Sequence, residues 1–444
     1  MPRDAGGNRE RVASEMRAIA QTLFHDALRA SNVNSAFQRN TSCERGVLRI
    51  CDDLYDLNAY SRVFVISIGK AAHAMVEALQ NQAGDRFEGI IAGPKNETSQ
   101  RRGFRYFEGG HPMPSPESIR AADAILKSLN SQNAGSLVIY LLSGGGSSMV
   151  EKPIDEEISL DDLVATYRIL VHSGAPIAEI NAIRKHLSAV KGGRLACAAY
   201  PAQQVSLLVS DVPEDAPDAL ASGPTMPDTT SIEDCYAVTS KYGLLEKVPP
   251  SVRELFLRRA LDETPKPGDI EFNRCRWWTV LSNSGLVEYV QEEAERLGFH
   301  AEVDNTCDDW DYVRARDYLL ERLRRLRQEF EKVCLISGGE VTVQVSNGGA
   351  GGRNQQFALS CATKIAGENI TVLSAGSDGI DGNSPAAGAV VDGNTVPHGT
   401  DNQMDVEAYI NNFDAHTFLS RTGETIVTGP TGNNLRDLRI LLAY

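Results

Sequence analysis

The stretch Val63-Phe64-Val65-Ile66-Ser67-Ile68-Gly69-Lys70-Ala71-Ala72-His73-Ala74-Met75 is apolar but for one serine up to a glycine, and then presents a lysine. A short apolar run without alternation reads as a strand buried on both faces, and such strands belong to parallel sheets. The residues after Gly69 read as a helix opening on Lys70. That lysine therefore falls at the carboxyl end of a strand, beside the positive end of a helix. Open α/β sheets bind their ligands at such places. A lysine fixed there predicts an anion.

Outward from this strand the same pattern repeats. Residues 89–93 (GIIAG), 137–145 (LVIYLLSGG), 204–212 (QVSLLVSDV), 277–284 (WWTVLSNS), 332–339 (KVCLISGG) and 370–379 (ITVLSAGSDG) are short apolar runs, several ending in Gly, Ser or Asp. Helical patterns at 71–82, 115–130 and 284–297 lie between several of them. The alternation predicts parallel sheets with helices on both faces. A chain of 444 residues exceeds one core and implies more than one domain. The boundary is expected within 261–272 (LDETPKPGDIEF), where two prolines and a cluster of charge interrupt the pattern, giving domains 1–265 and 266–444. A break before 335–340 (LISGGE), with 277–305 returning to the first domain, stays open.

Composition excludes several classes. Hydrophobic residues make up 42% and charged residues 23%, as in an ordinary globular protein. A net charge of −15 without a basic block argues against nucleic acid as a partner. No apolar run approaches the roughly 20 residues of a membrane span. The N-terminal region is charged throughout, with Val12, Met16, Ile19, Leu23 and Ala27 on one helical face, which reads as a surface helix and not a signal peptide. The eight cysteines form no Cys-x-x-Cys pair and read as reduced structural thiols of a cytoplasmic protein.

Five groups of residues carry candidate chemistry. Residues 141–149 (LLSGGGSSM) follow a strand, so the amides of Gly144, Gly145 and Gly146 can approach an anion, with hydroxyls from Ser143 and Ser147. A tight turn with no ligand is the plainer alternative. The dinucleotide fingerprint is incomplete, because Met149 stands where a third glycine is needed. Residues 348–357 (GGAGGRNQQF) clear the space before a helix that begins at Arg353, with Gly351, Gly352 and Asn354 beside its fork-shaped cation. Acids at strand ends, Asp211, Glu340, Asp378 and Asp381, are the residue type that holds Mg²⁺ against phosphates. In 181–196 (NAIRKHLSAVKGGRLA) the cations are either a solvated face or point into a cleft, with Lys191 the preferred member. His111 sits at the tip of the proline-stiffened loop 108–118. A weak internal echo links LLSGGGSS (141–148) to LISGGEVT (335–342), either as two phosphate-type turns or as two strand ends that need glycine.

Together these blocks, with GGHPMP (109–114), SAGSDGIDG (374–382) and TGPTGNNLRDLRI (428–440), resemble the class II glycerate kinases over nearly the whole chain after the first helices. The resemblance implies two α/β domains with mostly parallel sheets: a larger N-terminal Rossmann-like domain and a smaller C-terminal MOFRL domain, with the active site in a cleft between them. It implies an ATP-dependent kinase that uses Mg²⁺ to phosphorylate D-glycerate, most often at the 2-hydroxyl. Lys70 matches the family's catalytic lysine, and Arg353 the arginine that engages substrate. From their own chemistry, and not from the resemblance, Lys191, Ser143 and Ser147 are expected at the substrate, Gly144, Gly145, Gly146, Gly351, Gly352 and Asn354 at the nucleotide phosphates, and Asp211, Glu340 or Asp378 at the metal. A homodimer is an open assembly. Two alternatives remain: a nicotinamide-dependent hydroxypyruvate reductase, a label used within the family, and a non-catalytic sugar-phosphate sensor. The missing dinucleotide fingerprint counts against the first, and the lack of a visible DNA- or partner-binding segment against the second.

Overall fold

A computed structural model describes residues 4–95, 101–213, 215–345, 348–432 and 434–444, with side chains from residue 9 onward. The chain divides into two compact units, one of Val33–Val280 and one of Met1–Asn32 with Leu281–Tyr444.

The first unit is built on a six-stranded sheet. Across the sheet the strands are Phe104–Glu108, Glu88–Gly93, Arg62–Ile68, Ser136–Ser143, Gln203–Val209 and Cys275–Leu281. Numbered along the chain, that order is 3-2-1-4-5-6, which places a topological switch point between Arg62–Ile68 and Ser136–Ser143. Arg62–Ile68 pairs in parallel with both neighbours, and the next pair outward on each side is parallel as well. Ser136–Ser143 is buried at every position, which is why its sequence shows no alternation. Helices Leu160–Val171, Ile177–His186, Ile232–Lys241 and Pro250–Leu257 pack a separate apolar core around Leu163, Ile183 and Val252.

The break between units falls at Val280–Leu281, not at the expected 265/266. The stretch 261–272 is no linker but a strap on the first unit. Thr264 Oγ1 donates to the buried Asp228 carboxylate (2.9 Å), and the Asp228 N–H donates to the Pro265 carbonyl (2.9 Å). Glu263 lies 2.8 Å from His186 Nε2 and 2.7 Å from Lys266 Nζ. The prolines and charges that suggested a solvated connection are consumed in this strap.

The second unit also has a six-stranded sheet, ordered His300–Val303, Val333–Gly339, Asp437–Ala443, Ile370–Gly376, Gly388–Asp392 and Thr425–Ile426. Only its first pair is parallel; the other four pairings are antiparallel. The expectation of mostly parallel sheets thus holds for the first unit and is corrected for the second. The cause is the C-terminal strand. Val333–Gly339 and Ile370–Gly376, joined through helix Arg353–Ile365, do run the same way. Asp437–Ala443 inserts between them, antiparallel to both. Helices Tyr312–Glu329 and Arg353–Ile365 cover one face of the sheet. Helices Asp4–Ala30 and Asn283–Arg296 cover the other. The N-terminal apolar face is as read: Met16, Leu23 and Ala27 are buried, with Val12 and Ile19 packed beside them. All eight cysteines are free, and five are buried.

Candidate active site

At the switch point of the first unit, two loops are sewn together. Gly69 (φ +117°) allows a close approach, since a Cβ there would lie 2.4 Å from the Ser143 carbonyl oxygen and hydroxyl. The Lys70 N–H donates to the Gly144 carbonyl (2.9 Å), and the Ala71 N–H to Ser143 Oγ (3.0 Å). The helix opens at Ala72, two residues later than expected. Ser143 is buried and its hydroxyl is spent on backbone groups, so it positions the loops and is corrected from substrate ligand to support.

Above this junction, donors stand unused. Lys70 is exposed, and among the described residues its ammonium has no ion pair or hydrogen bond. The amides of Gly144, Gly145, Gly146 and Ser147 likewise have no partner among the described residues, nor does the Ser147 hydroxyl. Gly145 is left-handed (φ +80°) and lies against the Lys70 stem and His111. Successive free amides in such a turn form an anion nest. His111 Nδ1 lies 3.4 Å from Ser148 Oγ, and burial together with the Lys70 charge depresses its pKa. Asp211 completes the group: a Cβ on Gly144 would sit 1.9 Å from its Oδ2, so glycine is what admits the carboxylate.

Lys191 does not join them. It is buried and ion-paired with the equally buried Glu151, which also accepts from Tyr167 (2.6 Å) and Ser188 (2.6 Å). Burial lowers its pKa and Glu151 raises it, burial prevailing. Lys191 is therefore corrected from substrate cation to core ion pair; the helical pattern placed it in a cleft, but the helix ends at His186 and Lys191 lies beyond it.

In the second unit Arg353 lies on the wall of a cavity of about 730 Å³ with Glu340, Asn354, Asp378 and Asp381. Its fork is already occupied. Nε and Nη2 bind Asp437 (2.6 and 3.1 Å), and Nη2 also meets Glu340 (2.7 Å). Burial opposes the charge, yet the hydrogen bond and charge of Asp437, with Glu340, raise the guanidinium pKa. Burial and the charge of Asp437 push the Glu340 carboxyl up. The arginine keeps Nη1 without a partner among the described residues and is 37% exposed. It offers one corner, not a bidentate fork.

The glycines before Arg353 are not a phosphate cradle. The N–H groups of Asn354 and Gln355 donate to Asp381 (3.1 and 2.9 Å), so the helix N-terminus already holds an internal carboxylate. A Cβ on Gly352 would lie 2.3 Å from that carboxylate. The Gly351 N–H goes to Asn383 (2.8 Å), and Asn354 accepts from Ser374 (2.6 Å). Gly351, Gly352 and Asn354 are thus corrected to structural roles. The echo at 335–342 resolves the same way: the amides of Gly338, Gly339 and Glu340 are taken by Asn305 (2.8 Å), Asn283 (3.0 Å) and Asp308 (2.9 Å).

Of the three acids expected to hold a metal, Glu340 and Asp378 share the second unit's cavity and Asp211 stands by the first unit's nest. Among the described residues no three His, Cys, Asp or Glu side chains gather as a metal cage. Carboxylates are the right donors for Mg²⁺, which commonly takes one or two of them and fills its shell with water and substrate phosphates. The donor set suits a cation that arrives with a phosphate, not a resident one. Asp437 escaped the sequence reading, although an acid between two arginines on an apolar strand was a signal. Asp381 was noted without its partners, and His111 without its neighbour Lys70. Among the described residues no helix is long and apolar enough to cross a membrane.

Comparison with known proteins adds to this geometry. Residues 19–257 match a domain of unknown function, DUF4147, and residues 333–437 match the MOFRL family. A protein of Thermotoga maritima described as D-glycerate 2-kinase is 37% identical, over 85% of this chain and 90% of its own length. One from Agrobacterium vitis, described as a putative hydroxypyruvate reductase, is 34% identical over 86% and 87%. A crystal structure of glycerate kinase from Thermotoga maritima superposes with a TM-score of 0.85 at 33% identity, covering 97% of this chain and all of that one.

Proposed function

We propose the chemistry of this chain from the premise that it belongs to the class II glycerate kinase family, in which a DUF4147 domain is followed by a MOFRL domain. It is a glycerate 2-kinase, a phosphotransferase that moves the γ-phosphoryl group of ATP to the 2-hydroxyl of D-glycerate and leaves 2-phosphoglycerate and ADP. The hydroxyl oxygen bonds to the γ-phosphorus as the bond to the β,γ-bridging oxygen breaks, and the hydroxyl proton is released. Such a transfer needs positioning and charge stabilisation above all.

The observation that carries our residue assignment is the unpaired Lys70 ammonium beside the unpaired amides of Gly144 to Ser147. Preorganised donors of this kind act on charge in the transition state without reorganising. The amides and the Ser147 hydroxyl hold phosphate oxygens, and Lys70 stabilises the phosphoryl group in transfer. Arg353, braced by Asp437 and Glu340, presents Nη1 to the glycerate carboxylate. Magnesium, when bound, would neutralise phosphate oxygens, and Asp211, against Gly144 in the nest, is the side chain that would hold it there. The nicotinamide alternative is disfavoured because the turn at 69–72, Gly-Lys-Ala-Ala, lacks the glycines a pyrophosphate needs.

The test is direct. Protein, Mg-ATP and D-glycerate should yield ADP and 2-phosphoglycerate, identified by phosphorus NMR, and EDTA should abolish the reaction. NADH oxidation with hydroxypyruvate, in the absence of ADP formation, would replace the kinase reading.

A further inference from the structure

The second unit carries a cation-rich cavity at the end of its sheet remote from Arg353. Ile370 pairs with Ala443 at one end of the two central strands, and Gly376 with Asp437 at the other. Arg353 holds Asp437; the cavity is lined by Ile370 and Ala443. Six residues of strand separate the two places, roughly 20 Å. The cavity measures about 640 Å³, and Arg9, Arg324, Arg327 and Glu368 are its charged side chains.

These groups are not neutralised among themselves. Arg324 binds Glu368 through Nε (3.0 Å) and Nη2 (2.6 Å). Arg327 gives only Nη1, to the Phe330 carbonyl (3.1 Å). Arg9, on helix Asp4–Ala30, is half-buried and has no partner among the described residues. Three guanidinium groups face a single side-chain carboxylate among the residues lining the cavity. Planar cations with spare N–H groups suit phosphate oxygens.

We propose that this cavity binds a small phosphate dianion, free or at the end of a phosphate ester, as a second ligand site separate from the catalytic one. Arg9 and Arg327 are its principal donors, and Arg324 is the wall that Glu368 holds in place. Ligand binding ties the N-terminal helix to helix Tyr312–Glu329.

The full-length protein should be titrated by calorimetry and thermal melting with inorganic phosphate and, separately, glycerol 3-phosphate, against chloride at equal ionic strength. We expect saturable binding that raises Tm and persists in Lys70→Met. Arg9→Gln and Arg327→Ala should each weaken it about tenfold or more, as loss of a charge-assisted hydrogen bond does, with turnover on glycerate unchanged. Preference for one probe tells free phosphate from ester. Arg327 is exposed, so its variant tests the site even if Arg9→Gln loosens the helix. Binding that is no stronger than chloride, that survives both substitutions, or that vanishes with Lys70→Met would overturn the proposal.

Discussion

Lys70 keeps its charge unspent because its backbone, not its side chain, holds it in place. The N–H bond to Gly144 and the strand behind it fix the Cα, while the ammonium stays exposed. Lys70→Met should therefore cut turnover by about 10²–10³ and leave the melting curve and ATP affinity close to wild type. Steady-state ADP formation checks this, and turnover within a few-fold of wild type would remove the catalytic role. Arg353 is the reverse case, with its fork bound to Asp437. An ammonium cannot keep two contacts with Asp437 and still reach a ligand. Arg353→Lys should raise the Michaelis constant for glycerate far more than that for ATP, and an unchanged glycerate dependence would separate Arg353 from the substrate.

Three glycine-rich turns look alike on paper and differ at the level of elements. Side chains fill the amides of 338–340 and a carboxylate fills those of Asn354 and Gln355, whereas the amides of 144–147 stay open. The partners come from 283, 305, 308 and 381, too distant in sequence for any local reading. Lys191 shows the same logic. Lys191→Met strands a buried Glu151 carboxylate, which should cost about 3–5 kcal/mol, and adding Glu151→Gln should recover part of it. A variant that melts like wild type but binds glycerate poorly would return Lys191 to the substrate. The strap at 261–272 has an acid signature. Burial pushes Glu263 up, but hydrogen bonds from Lys266, His186 and two backbone N–H groups win and hold its carboxyl at about 2. A depressed carboxyl stabilises the fold above its unfolded pKa near 4.5, and that stability fades as pH falls towards 2. Glu263 is 39% exposed, so solvent screens the effect. Glu263→Gln should make the loss of stability between pH 4.5 and 2 shallower in denaturant titrations; a parallel curve would discard the strap as an acid-sensitive element.

On the scale of the whole molecule, the first 32 residues belong with the last 164 (444 − 280). Met16, Leu23 and Phe24 are buried against the second unit's sheet. Three such side chains represent about 5–9 kcal/mol of transfer free energy, comparable to the whole stability of a typical domain, about 5–15 kcal/mol. Arg17 adds ion pairs to the buried Asp392 and Glu424. Deleting residues 1–32 should abolish the cooperative melting of the second unit while the first unit still melts as a folded body. Calorimetry and hydrogen exchange over 333–339 and 370–376 decide it, and unaltered protection there would contradict the packing.

By itself, the sequence determined what is local. Apolar runs without alternation marked the strands of the parallel sheet, the 3.6-residue spacing of Met16, Ile19 and Leu23 marked a buried helix face, and the Gly-Lys step placed a cation at a strand end. The motifs in order pointed to the family. Only the tertiary structure decided which unit the N-terminal helix covers, that residues 437–443 divide a parallel pair, and which of three glycine turns remains open. Those outcomes depend on pairings between residues tens to hundreds of positions apart. Backbone N–H groups are identical in every turn until a distant side chain satisfies them. Hydrophobic spacing tells a residue that it is buried, but not against what.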